Sequence, residues 1–226
     1  MLFLRFAIVV ASLAVATAFA SPNDPKPGSE YTVMSVPQAS QTAGRKVEVI
    51  EFFMYHCPFC HAIEPALEQW VKKQGDNIVF KRIHIPYQGA RDPEAHLFLT
   101  LQAMGKSEAY QSAVLDAVGD IVRRKRSETL TEQEILDVAH NLPGIDRGKF
   151  TDTWNSFGVN TMLKRLPEVV SNGYKVNSTP TVVVDGKYVT SPGQVSETTR
   201  TRDQRQLFQE TMQVLDALVA KVQKSK

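Results

Sequence analysis

The spacing of apolar and polar residues changes several times along the chain, and each change marks a predicted element. Val47 to Met54 (VEVIEFFM) is dense in apolar and aromatic residues and has strand length, which predicts a buried central strand. A helix is predicted directly after it, from about Pro58 to Lys73, ending near Gly75. Pro65 lies inside that helix and should kink it by removing a backbone hydrogen bond. Ile78 to Tyr87 (IVFKRIHIPY) reads as the next strand.

The middle of the chain has helical spacing. Asp92-Pro93-Glu94 supplies an N-cap, an N1 proline and a first-turn acid for a helix running to Gly105. Ser107 to about Val118 is a second helix. Thr131 and Glu134 form a capping box, with Leu130 and Ile135 at the positions of its hydrophobic staple. Phe150, Trp154 and Phe157 fall at i, i+4 and i+7 and predict one face of a further helix. Pro167 breaks or kinks a stretch that continues to Asn172-Gly173. Strand spacing returns at Thr181 to Val184, followed by an Asp185-Gly186 turn and a returning strand at Lys187 to Thr190. A last helix, about Gln204 to Val222, carries Phe208, Met212, Leu215 and Val219 on one stripe. The plan is βαβ, a helical block, then ββα: an α/β domain interrupted by a helical insertion.

The N-terminus departs from this plan. Arg5 gives a short positive segment, Phe6 to Ala16 is an apolar run, and Ala18-Phe19-Ala20 is a small-x-small cleavage signal, so residues 1–20 read as a secretory signal peptide. No cysteine lies near that site, which argues against lipid attachment there. Removing 20 of 226 residues leaves 206, enough for one large domain or a domain with an insertion. Residues 21 to 44 are rich in Pro, Gly, Ser and Gln and read as a linker with one short strand at Tyr31 to Ser35. The balance of 26 basic against 24 acidic residues gives no electrostatic case for nucleic acid. The expected product is soluble and exported.

Export makes the cysteines informative. The chain has two, Cys57 and Cys60, and a loop that short would constrain an unfolded chain little, so a structural staple is a poor explanation. Cys57 to His61 also spells C-x-x-C-H, the c-type haem signature. Haem domains of that type are small and helical, however, whereas this motif follows a buried strand in a βαβ pattern. Zinc would require His56 and His61, sequence neighbours of the cysteines, to converge on one ion, and no second pair has zinc-finger spacing. The two histidines read instead as polar rim around the sulfurs. A redox dithiol fits best, and it needs neither cofactor nor metal. With Cys57 as N-cap and Pro58 at N1, the Cys57 thiolate accepts from the Cys60 amide and gains from the helix dipole. Cys60, three residues on, lies on the same face as a shielded resolving sulfur. Glu51 shares a strand face with Val47, Val49 and Phe53, so it reads as a buried carboxylate able to take the Cys60 proton through water. Glu64, one turn after Cys60, either contributes to the same field or is an ordinary solvated helix residue. Pro180, within Ser178-Thr179-Pro180-Thr181, precedes a strand; trans is the usual isomer there and cis the alternative.

These motifs together resemble the DsbA family of periplasmic thiol–disulfide oxidases in the thioredoxin superfamily. Glu51-Phe52-Phe53 followed by Cys57-Pro58-x-Cys60 is similar to the family's strand-to-helix passage, and Pro65 to its kink proline. Phe150 to Phe157 (FTDTWNSF) and Thr179 to Tyr188 (TPTVVVDGKY) resemble its late helix and its cis-proline hairpin, and the likeness runs over essentially residues 30 to 224. The resemblance implies a thioredoxin-like domain in two parts, residues 21–88 and 174–226, split by a helical insertion at 89–173. It implies Cys57 as nucleophile and Thr179 and Pro180 as a cis-proline loop that holds substrate backbone. It also implies a monomer that passes its disulfide to reduced or unfolded exported proteins and is reoxidised by a quinone-linked membrane oxidase of the DsbB type. Two departures bear on oxidising strength: the dipeptide is Pro58-Phe59 where the family's commonest is Pro-His, and Thr179 precedes the proline where the best-known members carry Val. A reductase or isomerase on the same scaffold is the closest rival. A non-catalytic exported adaptor is a rival from another class; Arg123 to Arg126 (RRKR) is its best support, although a basic run before a capping box is more often a solvated helix end.

Overall fold

The computed structural model describes residues 21–42 and 44–226. The signal peptide expected at 1–20 lies outside the described residues. Five strands, β1 (Thr32–Val33), β2 (Val47–Phe53), β3 (Ile78–His84), β4 (Thr181–Val184) and β5 (Tyr188–Thr190), form one sheet in the order β1-β5-β4-β2-β3. β2 is buried at every position, as its apolar run predicts. It pairs parallel with β3 and antiparallel with β4. The central strand therefore joins two stretches of sequence about a hundred residues apart, and its register sets out the site. Glu51 stands opposite Arg82 and Phe53 opposite His84 on one side, while Phe52 stands opposite Thr181 on the other.

Two apolar clusters flank the sheet. Helices α1 (Pro58–Gln74) and α8 (Gln204–Ser225) pack Ile63, Leu67, Trp70, Phe208, Leu215 and Val219 against Val47, Val49, Val182 and Val184. The predicted stripe of α8 is buried throughout, and the Trp70 indole N–H donates to Asp216 at 2.8 Å to tie the two helices. Between β3 and β4 run α2 (Pro93–Ala103), α3 (Ser107–Lys125), α4 (Glu132–His140), α5 (Arg147–Trp154) and α6 (Phe157–Glu168). They bury Leu97, Phe98, Leu115, Leu130, Ile135 and Phe150 in a second cluster that also takes in Phe52, Phe53, Cys57 and Cys60. This is an α/β sheet with a helical insertion, and the two cysteines belong to the insertion's side of the core.

Local signals account for most helix ends. Asp92 and Thr131 cap α2 and α4 as their side chains predict, with both halves of the capping box formed. α3 continues past Val118 to Lys125, so the basic run is its last turn, where positive charge suits the helix dipole. Two expectations need correction. β3 stops at His84 rather than Tyr87. Phe157 does not continue the helix of Phe150 and Trp154: the Ser156 hydroxyl accepts from Val159 N–H and starts a new helix, leaving Phe157 88% exposed. As expected, the stretch changes at Pro167 and continues through Asn172 and Gly173, here as a π-helix over Val169–Tyr174. A short helix α7 (Pro192–Thr199), capped by Ser191, has no counterpart in the predicted plan. The β4–β5 turn follows its Asp-Gly signal, with φ of 52° at Asp185 and 61° at Gly186. Glycine is required there, since a Cβ would lie 2.1 Å from the Gln38 carbonyl oxygen.

Candidate active site

Cys57 is the N-cap of α1 in extended geometry (φ −75°, ψ 116°), with Pro58 at N1, and its sulfur accepts from the Cys60 N–H at 3.4 Å. Both thiols are free. Across the sheet, the Thr179–Pro180 bond is cis, and the Thr179 carbonyl lies 3.7 Å from Cys57 Sγ. Phe52 paired with Thr181 places this loop beside the end of β2. The Cys57 pKa is lowered to about 6, first by the hydrogen bond from the Cys60 side chain, against the opposing effect of burial, then by Thr179 and the backbone amides of Cys60 and Phe59. Cys60, 1% exposed, is pushed strongly upward by burial and by the neighbouring Cys57 and Glu51. Two sulfurs three residues apart thus differ in the direction of their shift. Phe59 between them is half-exposed.

Beneath Cys60 lies an ionic cluster that sequence reasoning saw in part. Glu51 is fully buried, and its Oε2 accepts from Arg82 Nε at 2.8 Å. Arg82 Nη2 donates to Glu64 Oε1 at 2.7 Å, and its Nη1 donates to Glu108 of α3. Glu64 is therefore part of the field rather than a solvated helix residue. Burial raises the Glu51 pKa against the pull of Arg82, and burial likewise raises Glu64 to about 8. One guanidinium faces three carboxylates, so burial still raises both of the buried ones.

A second cluster lies beside Cys57 and corrects the reading of His56 as rim, while His61 keeps a partly exposed place there. His56 is buried; its backbone N–H donates to Glu94 Oε2 at 3.0 Å and its Nδ1 lies 2.8 Å from Glu94 Oε1. His84 Nε2 accepts from the Tyr55 N–H at 3.2 Å and lies 3.5 Å from Glu94 Oε2. Burial opposes ionisation of Glu94, yet the hydrogen bond with His56 holds it down to about 2, and Glu94 in turn raises His56. His61 faces the other way, its Nε2 2.7 Å from Asp116 of α3. Each imidazole next to the cysteines is engaged by a carboxylate from another helix. Arg82, His84, Glu94 and Glu108 were missed because strand register and helix docking deliver them. The available signal was the polar residues within Ile78 to Tyr87, out of place in a strand otherwise apolar.

A family model described as Thioredoxin matches residues 42–203. The thiol:disulfide interchange protein DsbA of Burkholderia cepacia is 38% identical over 214 residues, covering 95% of this chain and 93% of that one. DsbA of Pseudomonas aeruginosa is 32% identical over 88% of this chain and 94% of its own length. A crystal structure of Pseudomonas aeruginosa DsbA superposes with a TM-score of 0.72 at 28% identity, covering 91% of this chain and 98% of that one. The thioredoxin fold, the dithiol at a helix N-terminus and the length of these matches lead to one conclusion: the chain belongs to the DsbA family, a dithiol–disulfide oxidoreductase on a thioredoxin-like fold with an inserted helical domain.

Proposed function

We propose that the protein acts in the periplasm as a monomeric oxidase, donating a Cys57–Cys60 disulfide to reduced exported proteins and being reoxidised by a quinone-linked membrane oxidase of the DsbB type. A substrate thiolate attacks Cys57 Sγ, the Cys57–Cys60 bond breaks, and Cys60 leaves with the electron pair and takes up a proton. A second substrate thiol then attacks the substrate sulfur of the mixed disulfide, which releases oxidised substrate and the Cys57 thiolate. Thr179 and Pro180 hold the substrate backbone beside Cys57; Pro58, Phe59 and Glu51 tune the pair. One observation carries the direction: Cys57 Sγ caps the N-terminus of α1 and accepts from the Cys60 N–H at 3.4 Å, and its thiolate is thereby stabilised, to a pKa of about 6. A stabilised thiolate stabilises the reduced enzyme, so the disulfide is readily given away. The rival reductase needs a less stabilised thiolate, as in thioredoxin at about 7.

Equilibration with glutathione buffers tests this. The expected reduction potential lies well above the roughly −270 mV typical of thioredoxin, and a value near that figure would support the reductase. Cys60→Ser should accumulate mixed disulfides with exported proteins, formed when the Cys57 thiolate attacks a disulfide they carry, and Cys57→Ser should not. The reverse pattern would exchange the roles of the two sulfurs.

A further inference from the structure

Tyr87 follows β3 and is 54% exposed, yet the chain on either side of it is pinned. The Gln88 N–H donates to Asp92 Oδ2 at 2.8 Å, and the Gln88 side-chain amide donates to the Leu130 carbonyl at 2.9 Å. The Gly89 N–H donates to the Pro86 carbonyl at 3.0 Å, and Pro86 fixes its own backbone angle. The Tyr87 ring stands edge-on to His56, with centroids 5.1 Å apart and planes at 62°. His56 is itself buried and held by Glu94. A large aromatic side chain is thus mounted rigidly at the surface, against the residue that precedes Cys57. Topology puts it across the site from the cis-proline loop. β2, which leads to Cys57, lies between β3 and β4 in the sheet. β3 runs parallel to β2 and ends at the same end of the sheet, whereas β4 is antiparallel and begins there. Thr179 therefore flanks Cys57 on one side, its carbonyl 3.7 Å from the sulfur, and the segment carrying Tyr87 flanks it on the other. From Cys57 across His56 to the Tyr87 ring is on the order of 10 Å, the span of about three residues of extended chain. Phe59, two residues beyond Cys57, is a second half-exposed aromatic ring beside the sulfur.

We propose that Tyr87 is a specificity-determining residue, which takes an aromatic side chain lying within about three residues of the cysteine in a reduced exported chain. The inference deepens the oxidase reading and rests on it, since the substrate sulfur must bond to Cys57. A peptide that leaves the Thr179 backbone and crosses Cys57 runs next toward Tyr87. An aromatic side chain there pairs edge-to-face or offset with the phenol ring and covers the part of it now open to water. The rigid mount favours the pairing, because a ring already fixed loses little freedom on binding. Cysteine and aromatic residues are mostly buried once a chain has folded, so such a preference directs the oxidase to chains that are still unfolded. Tyr87 also covers one edge of His56, but that structural role predicts no dependence on what flanks the substrate cysteine.

The test uses two reduced peptides, each with two cysteines, that differ at one residue beside the first cysteine: Phe in one and Ser in the other. Each is mixed with oxidised protein and quenched in acid, and the peptide disulfide formed is measured by chromatography. Wild type should oxidise the Phe peptide about tenfold faster, a discrimination of the size an apolar contact gives. Tyr87→Ser should bring the ratio of the two rates to within about twofold, and Tyr87→Phe should restore it. A ratio that Tyr87→Ser leaves unchanged would overturn the proposal, even if both rates fall together. So would equal rates in wild type. Should Tyr87→Ser fail to fold, Cys60→Ser carrying each peptide as a mixed disulfide on Cys57 decides. Tetranitromethane should then nitrate Tyr87 in the complex with the Ser peptide and leave it largely unmodified in the complex with the Phe peptide; equal nitration overturns the assignment. Failure of the oxidase reading is recognisable separately, because oxidation of both peptides would then survive Cys57→Ser.

Discussion

The clusters beneath Cys60 and beside Cys57 are built from the same materials and have opposite outcomes. Each is buried, and each joins the sheet to the helical insertion, through Glu108 of α3 in one case and Glu94 of α2 in the other. Beneath Cys60 three carboxylates share one guanidinium, and Glu64 rises to about 8. Beside Cys57 one carboxylate faces two imidazoles and falls to about 2. Burial opposes ionisation in both, so the number of partners decides the sign. The first cluster holds carboxyls raised by burial beneath Cys60; the second holds a depressed carboxylate paired with His56 beside Cys57.

Removing Arg82 should have the largest effect. Arg82→Met leaves Glu51 and Glu64 buried without their cation, and breaking a buried pair in this way costs about 3–5 kcal/mol. Without the cation both carboxyls rise further and stay protonated in the folded protein, which costs most at pH 8, where the unfolded chain ionises them, and little at pH 5. In wild type the same raised pKa values mean that the folded state binds more protons than the unfolded one between about pH 4.5 and 8, so this cluster's contribution to stability falls as pH rises across that window. Urea unfolding of both proteins at pH 5 and 8 checks this. An equal loss at the two values would break the comparison.

The next largest effect separates the redox states. Cys57 titrates only when reduced, with its pKa lowered from 9.0 to about 6. A depressed pKa gives stability that is complete above pH 9 and lost as pH falls toward 6. The reduced protein should therefore gain on the oxidised one by roughly 2–4 kcal/mol between pH 6 and 9. Parallel unfolding curves of the two forms would show the gap, and a gap independent of pH would place the stabilised thiolate elsewhere.

Elements with local causes were legible in the sequence. The apolar run of β2, the Asp92 cap, the Thr131 capping box and the Cys57-Pro58 start of α1 each carry their own signal within a few residues, and each stands where its signal puts it. The Thr179–Pro180 isomer was not local; the cis form was implied by family resemblance alone. Both ionic clusters were only half visible. Glu51 could be read as buried from its strand face, but Arg82 becomes its partner through a parallel register 31 residues away in sequence. His56 looked like rim because Glu94, its partner 38 residues on, reaches it only after α2 docks. Phe157 misled through its period: i+7 spacing says nothing about the Ser156 cap that ends the helix first.

Glu94→Gln sharpens the comparison from the other side at smaller cost. The amide oxygen can still accept from the His56 N–H, so the loss should be about 1–2 kcal/mol rather than that of an orphaned charge. His56, relieved of the carboxylate, should titrate lower. Because a raised histidine pKa stabilises below about 6.5 and loses that contribution as pH rises through the folded value, the variant's deficit should be larger at pH 6 than at pH 9. This is the reverse of the Arg82→Met trend. Deficits running in the same direction would mean that the two clusters are not opposites.

The smallest effect asks whether an imidazole helps the thiolate when no carboxylate neutralises it. His56 adjoins Cys57, but its charge is answered by Glu94 at 2.8 Å, and it is not among the chief causes of the lowered Cys57 pKa. Position 59 differs: Phe59 is half-exposed, has no acidic partner, and its backbone amide already favours the thiolate. Phe59→His places a second imidazole there without a counter-charge, so it should stabilise the anion by hydrogen bonding and partial positive charge. The Cys57 pKa should fall by about half to one unit, and each unit corresponds to about 1.4 kcal/mol, or about 30 mV for a two-electron couple. The reduction potential should rise accordingly, and stability of the oxidised form should stay unchanged. Alkylation rates of Cys57 against pH give the first quantity and glutathione equilibration the second. If neither moves, solvent already screens position 59, and the thiolate is held by the hydrogen bonds of Cys60 and Thr179 with no contribution from the dipeptide's side chain.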